Sequence, residues 1–421
     1  MIIYKFGGAS VKDADSVRKL GDIISVCPEP IIVVVSAMGK TTNRLEMILD
    51  EAIRNSGNYI AMVQQLKNDH LAIVDQLISN RKAEVVQAMD TIFTNLLGFL
   101  AKSVNTDYNY AYDQVVSFGE LLSTKIVSHY LQTKNIVNTW IDIRKFLKTN
   151  SNFRDAAVDL QASATKCKTL FTFENVACYI TQGFIGSDND GNTTTLGREG
   201  SDYSAALLAN FLEADAVTLW KDVPGIFNAD PAMFNKVEHI AELSYHEVIE
   251  LTYYGAKVIH PKTIKPLYEK EIPLYVRSFL EPALSGTLVH KSSLRTRSIP
   301  IIIIKDQQIL VSISHTDLSF ISEQSVSRLF ALLDDFRIKA NLLQHSAISF
   351  SVGVDTPKGK AVNDLITALR KNFKVLYNEG LQLITIRNYT DAIIEELTQE
   401  KKILIEQRSR HTVQFLVEDK N

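Results

Sequence analysis

The sequence predicts an α/β body followed by a smaller α+β appendage. Two observations carry this. The β-branched runs Ile2–Phe6 and Ile31–Val35 are each followed by small residues and then a polar, helix-like segment. Apolar strand, tight turn, helix is the pattern of a parallel α/β sheet. Past residue 298 the order changes to strand, helix, strand, strand, and that order occurs twice.

Taken along the chain, the stretch from Thr42 to Lys102 reads as helical. Leu45, Ile48, Leu49, Ala52 and Ile53 fall at helical spacing, as do Leu66, Ile73, Val74, Leu77 and Ile78. Strand-like runs return at Cys178–Thr181 and Ala216–Trp220, with a helix over Ser204–Leu212 between them. Past Pro261 come the helix Lys262–Glu269 and the strand Leu274–Val276. Lys291–Ser298, KSSLRTRS, is polar and basic without apolar periodicity, and reads as a solvated linker. Then Ile309–Ser314, Val326–Leu333, Lys339–Gln344 and Ala347–Val354 are matched by Leu381–Arg387, Asp391–Leu397, Ile403–Arg408 and Thr412–Val417. The copies lie about 65 residues apart, Phe350 matching Phe415 and Ile338 matching Ile403, and two copies are too few for a solenoid. They fit two small ferredoxin-like units, one completed by the helix Lys360–Lys371. The expected domains are a catalytic body over 1–290 and a paired appendage over 299–421.

Composition narrows the functions. The 421 residues are 46% hydrophobic and 22% charged, which supplies core for two or three domains. A net charge of -3 gives no electrostatic footprint for nucleic acid. The longest apolar runs, Ile31–Met38 and Ile299–Ile304, are too short to span a bilayer, so no membrane partner is expected. The opening MIIYKFGG has no basic leader and reads as a core strand. Cys27, Cys167 and Cys178 lack metal-ligand spacing and favour a reduced compartment, the cytoplasm being the simplest.

Five constellations carry chemistry. In KFGGAS, Lys5 ends a strand, Gly7 and Gly8 let backbone approach a ligand, and Ser10 opens the next helix. A plain strand–helix turn would also explain the glycine pair, but not a lysine at the end of a core strand. No Walker A loop occurs in the chain. In TTTLGREGSD, Ser201 or Asp202 suits a helix N-cap, whereas Arg198 between glycines offers a fork for carboxylate or phosphate. In LWKDVPGIFNADP, Lys221 and Asp222 end a strand at the edge where open α/β sheets bind ligands. In SFGE, Glu120 sits in a first helical turn, where a carboxylate also suits the helix dipole. In YYGAKVIHP, Gly255 precedes Lys257, and His260 reads as a packed or capping residue.

In this order, together with SAMGKTTN at Ser36–Asn43 and TQGFIG at Thr181–Gly186, these motifs resemble the amino-acid kinase family, and within it the aspartate kinases. The resemblance is strong over residues 1–290. The appended units are similar in pattern to the tandem ACT domains of monofunctional members. It implies a three-layer sandwich with C-terminal ACT units. The implied activity is transfer of the ATP γ-phosphate to the β-carboxylate of L-aspartate, the first step toward lysine, threonine and methionine.

By that resemblance Lys5, Asp202 and Lys257 are catalytic, the lysines neutralising phosphate and Asp202 ordering them. Arg198 holds the substrate α-carboxylate and Glu120 its ammonium, with Ser36, Ala37, Thr42, Phe184 and Ser201 shaping the pocket. Gly7, Gly8, Ser10, Lys221, Asp222, Phe227 and Asp230 serve ATP. Mg²⁺ rides mainly on phosphate oxygens, with no protein cage. A homodimer through the ACT region is implied. An N-acetylglutamate or glutamate kinase is the rival enzyme, and Glu120 discriminates, because an acetylated amine needs no carboxylate partner. A degraded kinase serving as an amino-acid sensor would be expected to lack Lys5, Arg198 or Asp202. Three positions depart from the family pattern: Glu199 and Ala232 stand where Gly and Arg are usual, and Ser322–Ser325 replaces a glycine-containing effector turn. Weak inhibition, or none, by lysine and threonine is therefore expected.

Overall fold

All five residues of the strand Ile31–Val35 are buried, which a strand achieves only when both faces of its sheet are covered. The computed structural model describes residues 1–55, 57–79, 81–174, 176–256, 259–291, 299–317, 319–356 and 361–420. It divides into two units. One comprises Met1–Ile226, His239–Ile249 and Lys257–Leu294; the other comprises Phe227–Glu238, Glu250–Ala256 and Arg295–Asn421.

The first unit is built on eight strands in the order Glu242–Ser244, Thr287–His290, Leu274–Ser278, Ala216–Lys221, Ile2–Phe6, Ile31–Val35, Cys178–Gln182, Thr139–Ile141. Every pair is parallel except Leu274–Ser278 with Thr287–His290. Phe6 lies level with Val35 on one side and Trp220 on the other, so three central strands deliver their carboxyl ends to one edge. One face buries Phe6, Val33 and Val35 against helices contributing Val17, Leu20, Leu45, Leu66, Phe93 and Ile126. Each such side chain contributes about 1.5–3 kcal/mol by leaving water. The helix Gly200–Leu212 packs on Ile2–Phe6 and Ala216–Lys221 at the other face, with Pro261–Lys270 against it. These are the three layers expected. The segment read as continuously helical is three helices, Thr41–Ile53, Asn58–Leu77 and Lys82–Leu100. Left-handed backbone at Gly57 (φ +74) and Arg81 (φ +63) precedes the second and third.

In the second unit, Ile301–Ser314 and Lys374–Arg387 pair antiparallel along their length, from Ile301 opposite Arg387 to Ser314 opposite Lys374. The order is Ala340–His345, Ser349–Asp355, Ile301–Ser314, Lys374–Arg387, Thr412–Asp419, Lys401–Arg408. The register breaks between Lys305 and Gln308, where Gln307 (φ +56) is left-handed and, on the facing strand, so is Gly380 (φ +71). Each long strand thereby serves both ferredoxin-like copies. The first copy packs Leu329, Leu333, Leu365 and Ile366 on Val311, Ile313, Val352 and Val354. The second packs Ile394 on Ile384, Ile386, Val413 and Phe415. Leu310 and Leu342 of the first meet Leu383, Ile405 and Leu416 of the second in a further cluster.

Two expectations change. The apolar run at Ile299–Ile304 is not merely a short hydrophobic stretch: Ile301–Lys305 pairs with Leu383–Arg387 and supplies the fourth strand of the second copy. The second copy thus takes a strand from upstream of the first. Of the expected linker, residues 292–298 lie outside the described residues.

Candidate active site

The carboxyl edge of the first unit's sheet carries two lysines and one acid. Lys5, at the end of Ile2–Phe6, places Nζ 2.6 Å from Asp202 Oδ1, and Lys221, at the end of Ala216–Lys221, places Nζ 3.4 Å from Asp202 Oδ2. Asp202 is not an N-cap, and neither is Ser201: both lie inside the first turn of Gly200–Leu212, whose N-cap position is Glu199. Burial alone would raise the Asp202 carboxyl, but Lys5 and then Lys221 outweigh it and hold it below the usual range. Burying such a cluster costs several kcal/mol of hydration, which points to a site rather than to a stability device.

Glu199 adopts φ +53, the backbone that favours the glycine usual there. One of its oxygens accepts the His260 N–H at 3.0 Å. His260 itself caps Pro261–Lys270, its Nδ1 accepting the Lys262 N–H at 3.2 Å.

Glu120 occupies the first turn of Phe118–Thr133 and is buried. The helix start approaches the 36–41 loop so closely that a Cβ on Gly119 would stand 2.9 Å from Ala37 Cβ, which explains the glycine of SFGE. Glu120 Oε1 accepts the Ala37 N–H at 3.2 Å, while Oε2 is buried without a partner among the described residues. Burial pushes this carboxyl up to about 8, the Ala37 bond only partly offsetting it. A partnerless buried oxygen calls for a cation or a proton.

A cavity of about 570 Å³ gathers Lys5, Gly8, Ser36, Ala37, Thr42, Glu120, Phe184, Arg198, Ser201, Asp202 and Lys221. Other expected residues lie elsewhere. Gly7 sits behind Lys5, where a Cβ would be 3.3 Å from Nζ. Ser10 does not open the next helix, which Asp13 caps; it lies in the 3-10 turn Gly8–Val11, and its buried hydroxyl donates to the Trp220 carbonyl at 3.0 Å, tying that turn to the end of Ala216–Lys221. Asp222 is exposed just past its strand. Phe227 and Asp230 belong to the second unit, where Asp230 Oδ1 accepts the Ala232 N–H at 2.9 Å. Lys257 lies outside the described residues.

The cavity also takes in Tyr112, Arg154 and Thr195, which the sequence reading did not single out as site residues. Thr195 ends the TTT run of the quoted motif. Tyr112 and Arg154 carry no motif signal, because they come from a polar helix and a polar loop. Asp113 links them to the wall: its buried carboxylate accepts the Arg154 N–H at 3.0 and 3.1 Å and the Thr195 N–H and hydroxyl, each at 2.8 Å.

An acid clamped by two lysines at a parallel sheet's carboxyl edge, beside a cavity lined by a buried carboxyl and a guanidinium, is a charge arrangement suited to phosphoryl transfer onto a small zwitterion. The chain belongs to the amino acid kinase family, whose model matches residues 1–278. Its relatives place it among the aspartokinases. Lysine-sensitive aspartokinase 3 of Escherichia coli (strain K12) is 32% identical over 394 residues, 92% of this chain and 86% of that one. Aspartokinase of Chlamydia pneumoniae is 29% identical over 391 residues, 91% and 85% of the two chains. The crystal structure of E. coli aspartokinase III in complex with aspartate and ADP superposes with a TM-score of 0.83 at 28% identity, over 99% of this chain and 96% of that one.

Proposed function

We propose that the chain transfers the γ-phosphate of ATP to the β-carboxylate of L-aspartate, giving 4-phospho-L-aspartate, the first step toward lysine, threonine and methionine. The observation that carries this reading is the buried Glu120 oxygen, without a partner among the described residues, in the same cavity as Arg198 and the Lys5–Asp202–Lys221 cluster. An ammonium, an α-carboxylate and a phosphoryl group each find a complementary charge there.

The acceptor carboxylate, which ordinarily titrates near pH ~3.9, is ionised at neutral pH, so the reaction needs no general base. The protein's work is positioning and charge neutralisation around the transferring phosphoryl group. Lys5 and Lys221 face the phosphates, and Asp202 fixes their ammonium groups. By motif, Lys257 adds a further charge. Gly7, Gly8, Asp222, Phe227 and Asp230 serve the nucleotide on the same ground. Glu120 takes the substrate ammonium and Arg198 its α-carboxylate. Mg²⁺ would be held mainly by phosphate oxygens and water. We place the enzyme in the cytoplasm, which its three unpaired cysteines suit.

A coupled assay of ADP release against aspartate, glutamate and N-acetylglutamate tests the reading. Turnover is expected with aspartate alone. Turnover with N-acetylglutamate but not aspartate would overturn it and take Glu120 out of substrate recognition.

A further inference from the structure

We infer that Arg154 is a second reader of the substrate α-carboxylate, parked on Tyr112 and Glu46 until that carboxylate enters. The inference rests on the functional reading above.

The backbone argues first. Arg154 adopts φ +73, a conformation that favours glycine over any residue with a Cβ. The turn itself is fixed without the side chain, because Asp113 holds the Arg154 N–H and, through Thr195, anchors the position to the cavity wall. Glycine would satisfy that geometry with less strain, so an arginine here needs a reason beyond the turn.

The side chain supplies one. The guanidinium carbon lies 4.1 Å from the centroid of the Tyr112 ring, and both residues line the cavity. Stacking on an aromatic face engages the plane of a guanidinium and leaves its edge free for hydrogen bonds. Its ion pair with Glu46 is long, 3.4 Å, between side chains 42% and 36% exposed, a pair that water and salt weaken. Glu46 stands one helical turn beyond Thr42, another cavity residue. A carboxylate arriving beside Arg154 would compete with Glu46 for the same donors.

The substrate's chemistry needs a second fork. Lys5 and Lys221 are engaged by Asp202, which leaves Arg198 and Arg154 as the other basic groups lining the cavity among the described residues. An ionised carboxylate has about four acceptor sites, and one bidentate arginine fills two. A second arginine can fill the rest, distinguishing an α-carboxylate from an α-amide.

The test uses the full chain. Arg154→Gly suits the backbone and should keep or raise the melting temperature. The aspartate KM should rise about tenfold with kcat and the ATP KM within about twofold, the signature of lost ground-state binding. Glu46→Gln should lower the aspartate KM by releasing the fork, and Arg154→Lys should fall between wild type and Arg154→Gly. L-aspartate α-amide gives the sharper readout, since it keeps the ammonium and the β-carboxylate. The ratio of kcat/KM for aspartate over this amide should shrink about tenfold in Arg154→Gly. A merely structural residue would depress both substrates alike, and that result, or an unchanged aspartate KM, overturns the inference. Wild-type enzyme inert toward aspartate would instead sink the functional reading, and this inference with it.

Discussion

Asp202 and Glu120 are two buried acids of one cavity, the first held ionised by its lysines and the second pushed up by burial. Lys5 and Lys221 keep Asp202 ionised, and its charge in turn fixes the two ammonium groups proposed to meet phosphate. Removing one such group costs about 3–4 kcal/mol of transition-state stabilisation, so Lys5→Met should lower kcat by about 10²–10³-fold. Stopped-time ADP release measures it, and near-normal turnover would take Lys5 out of the mechanism. Glu120, raised to about 8 against 4.5 unfolded, makes a prediction in pH. The folded chain binds its proton more tightly than the unfolded chain, so this group's stabilisation is complete below about 4.5 and is lost as pH rises toward 8. Glu120→Gln should therefore melt above wild type at pH 9, with the gap closing by pH 5. Substrate ammonium needs the ionised form, so the aspartate KM should fall as pH rises from 6 to 8. In Glu120→Gln that slope should flatten, with the KM raised about 10–100-fold for a lost charged hydrogen bond and the ATP KM little changed. Equal damage to ATP binding would make Glu120 a structural residue.

At the scale of elements, the helix Gly200–Leu212 brings Ser201 and Asp202 to the sheet edge because the turn at residue 183 makes room for it. A Cβ on Gly183 would stand 2.5 Å from Ser201 Cβ and 2.7 Å from its Cα, so the helix start would have to move. Gly183→Ala should destabilise by about 1–3 kcal/mol, as overpacking does, and should also cut kcat by displacing Asp202. A loss of stability with kcat intact would mean the helix start shifts without carrying Asp202 away from Lys5. Strand–turn–helix units such as Ile2–Phe6 with its following glycines were legible in the sequence because apolar runs and glycines are local signals. Asp202 and Glu120, each also explicable at a helix start, were picked out only by the resemblance of their motifs, whereas Lys5 and Arg198 stood out as charges that a turn does not need. Arg154 did not, since only the fold reveals that Asp113 carries it to the wall of a cavity built by residues far along the chain. The strand Ile301–Lys305 was hidden for a similar reason: its partner, Leu383–Arg387, lies about 80 residues away, and no local pattern reports such a pairing.

At the scale of the whole molecule, assembly and control are expected to reside in the appended sheet. Its two edges differ. Lys401–Arg408 exposes Ile403 (42%) but surrounds it with Lys401, Lys402, Glu406 and Arg408, charges of the kind that protect an edge from further pairing. Ala340–His345 leaves Leu343 exposed (37%), and the nearby Ile348 is also exposed (43%). We expect a homodimer joined through this second edge, closed by two-fold symmetry. Light scattering should give a dimer mass for the full chain and a monomer mass for Leu343→Lys; a dimeric variant would move the interface elsewhere. Control by small effectors should be weak. The start of helix Glu323–Asp335 is already served by the chain, the Ser322 hydroxyl accepting the Ser325 N–H at 3.3 Å. The His315 ring nitrogen lies 3.2 Å from Ser325 Oγ. An amino acid's carboxylate would need open N–H groups there and would meet Glu323 in the first turn instead. A ligand shifts a two-state protein only by its differential affinity for the states, and a partly capped, acidic helix start supplies little of it. Lysine or threonine at millimolar concentration should therefore lower the steady-state rate by less than about twofold. Strong inhibition by lysine would show that other residues have rebuilt the effector site, and Ser322→Gly, which opens the helix start, should deepen inhibition if the capped turn is what weakens it.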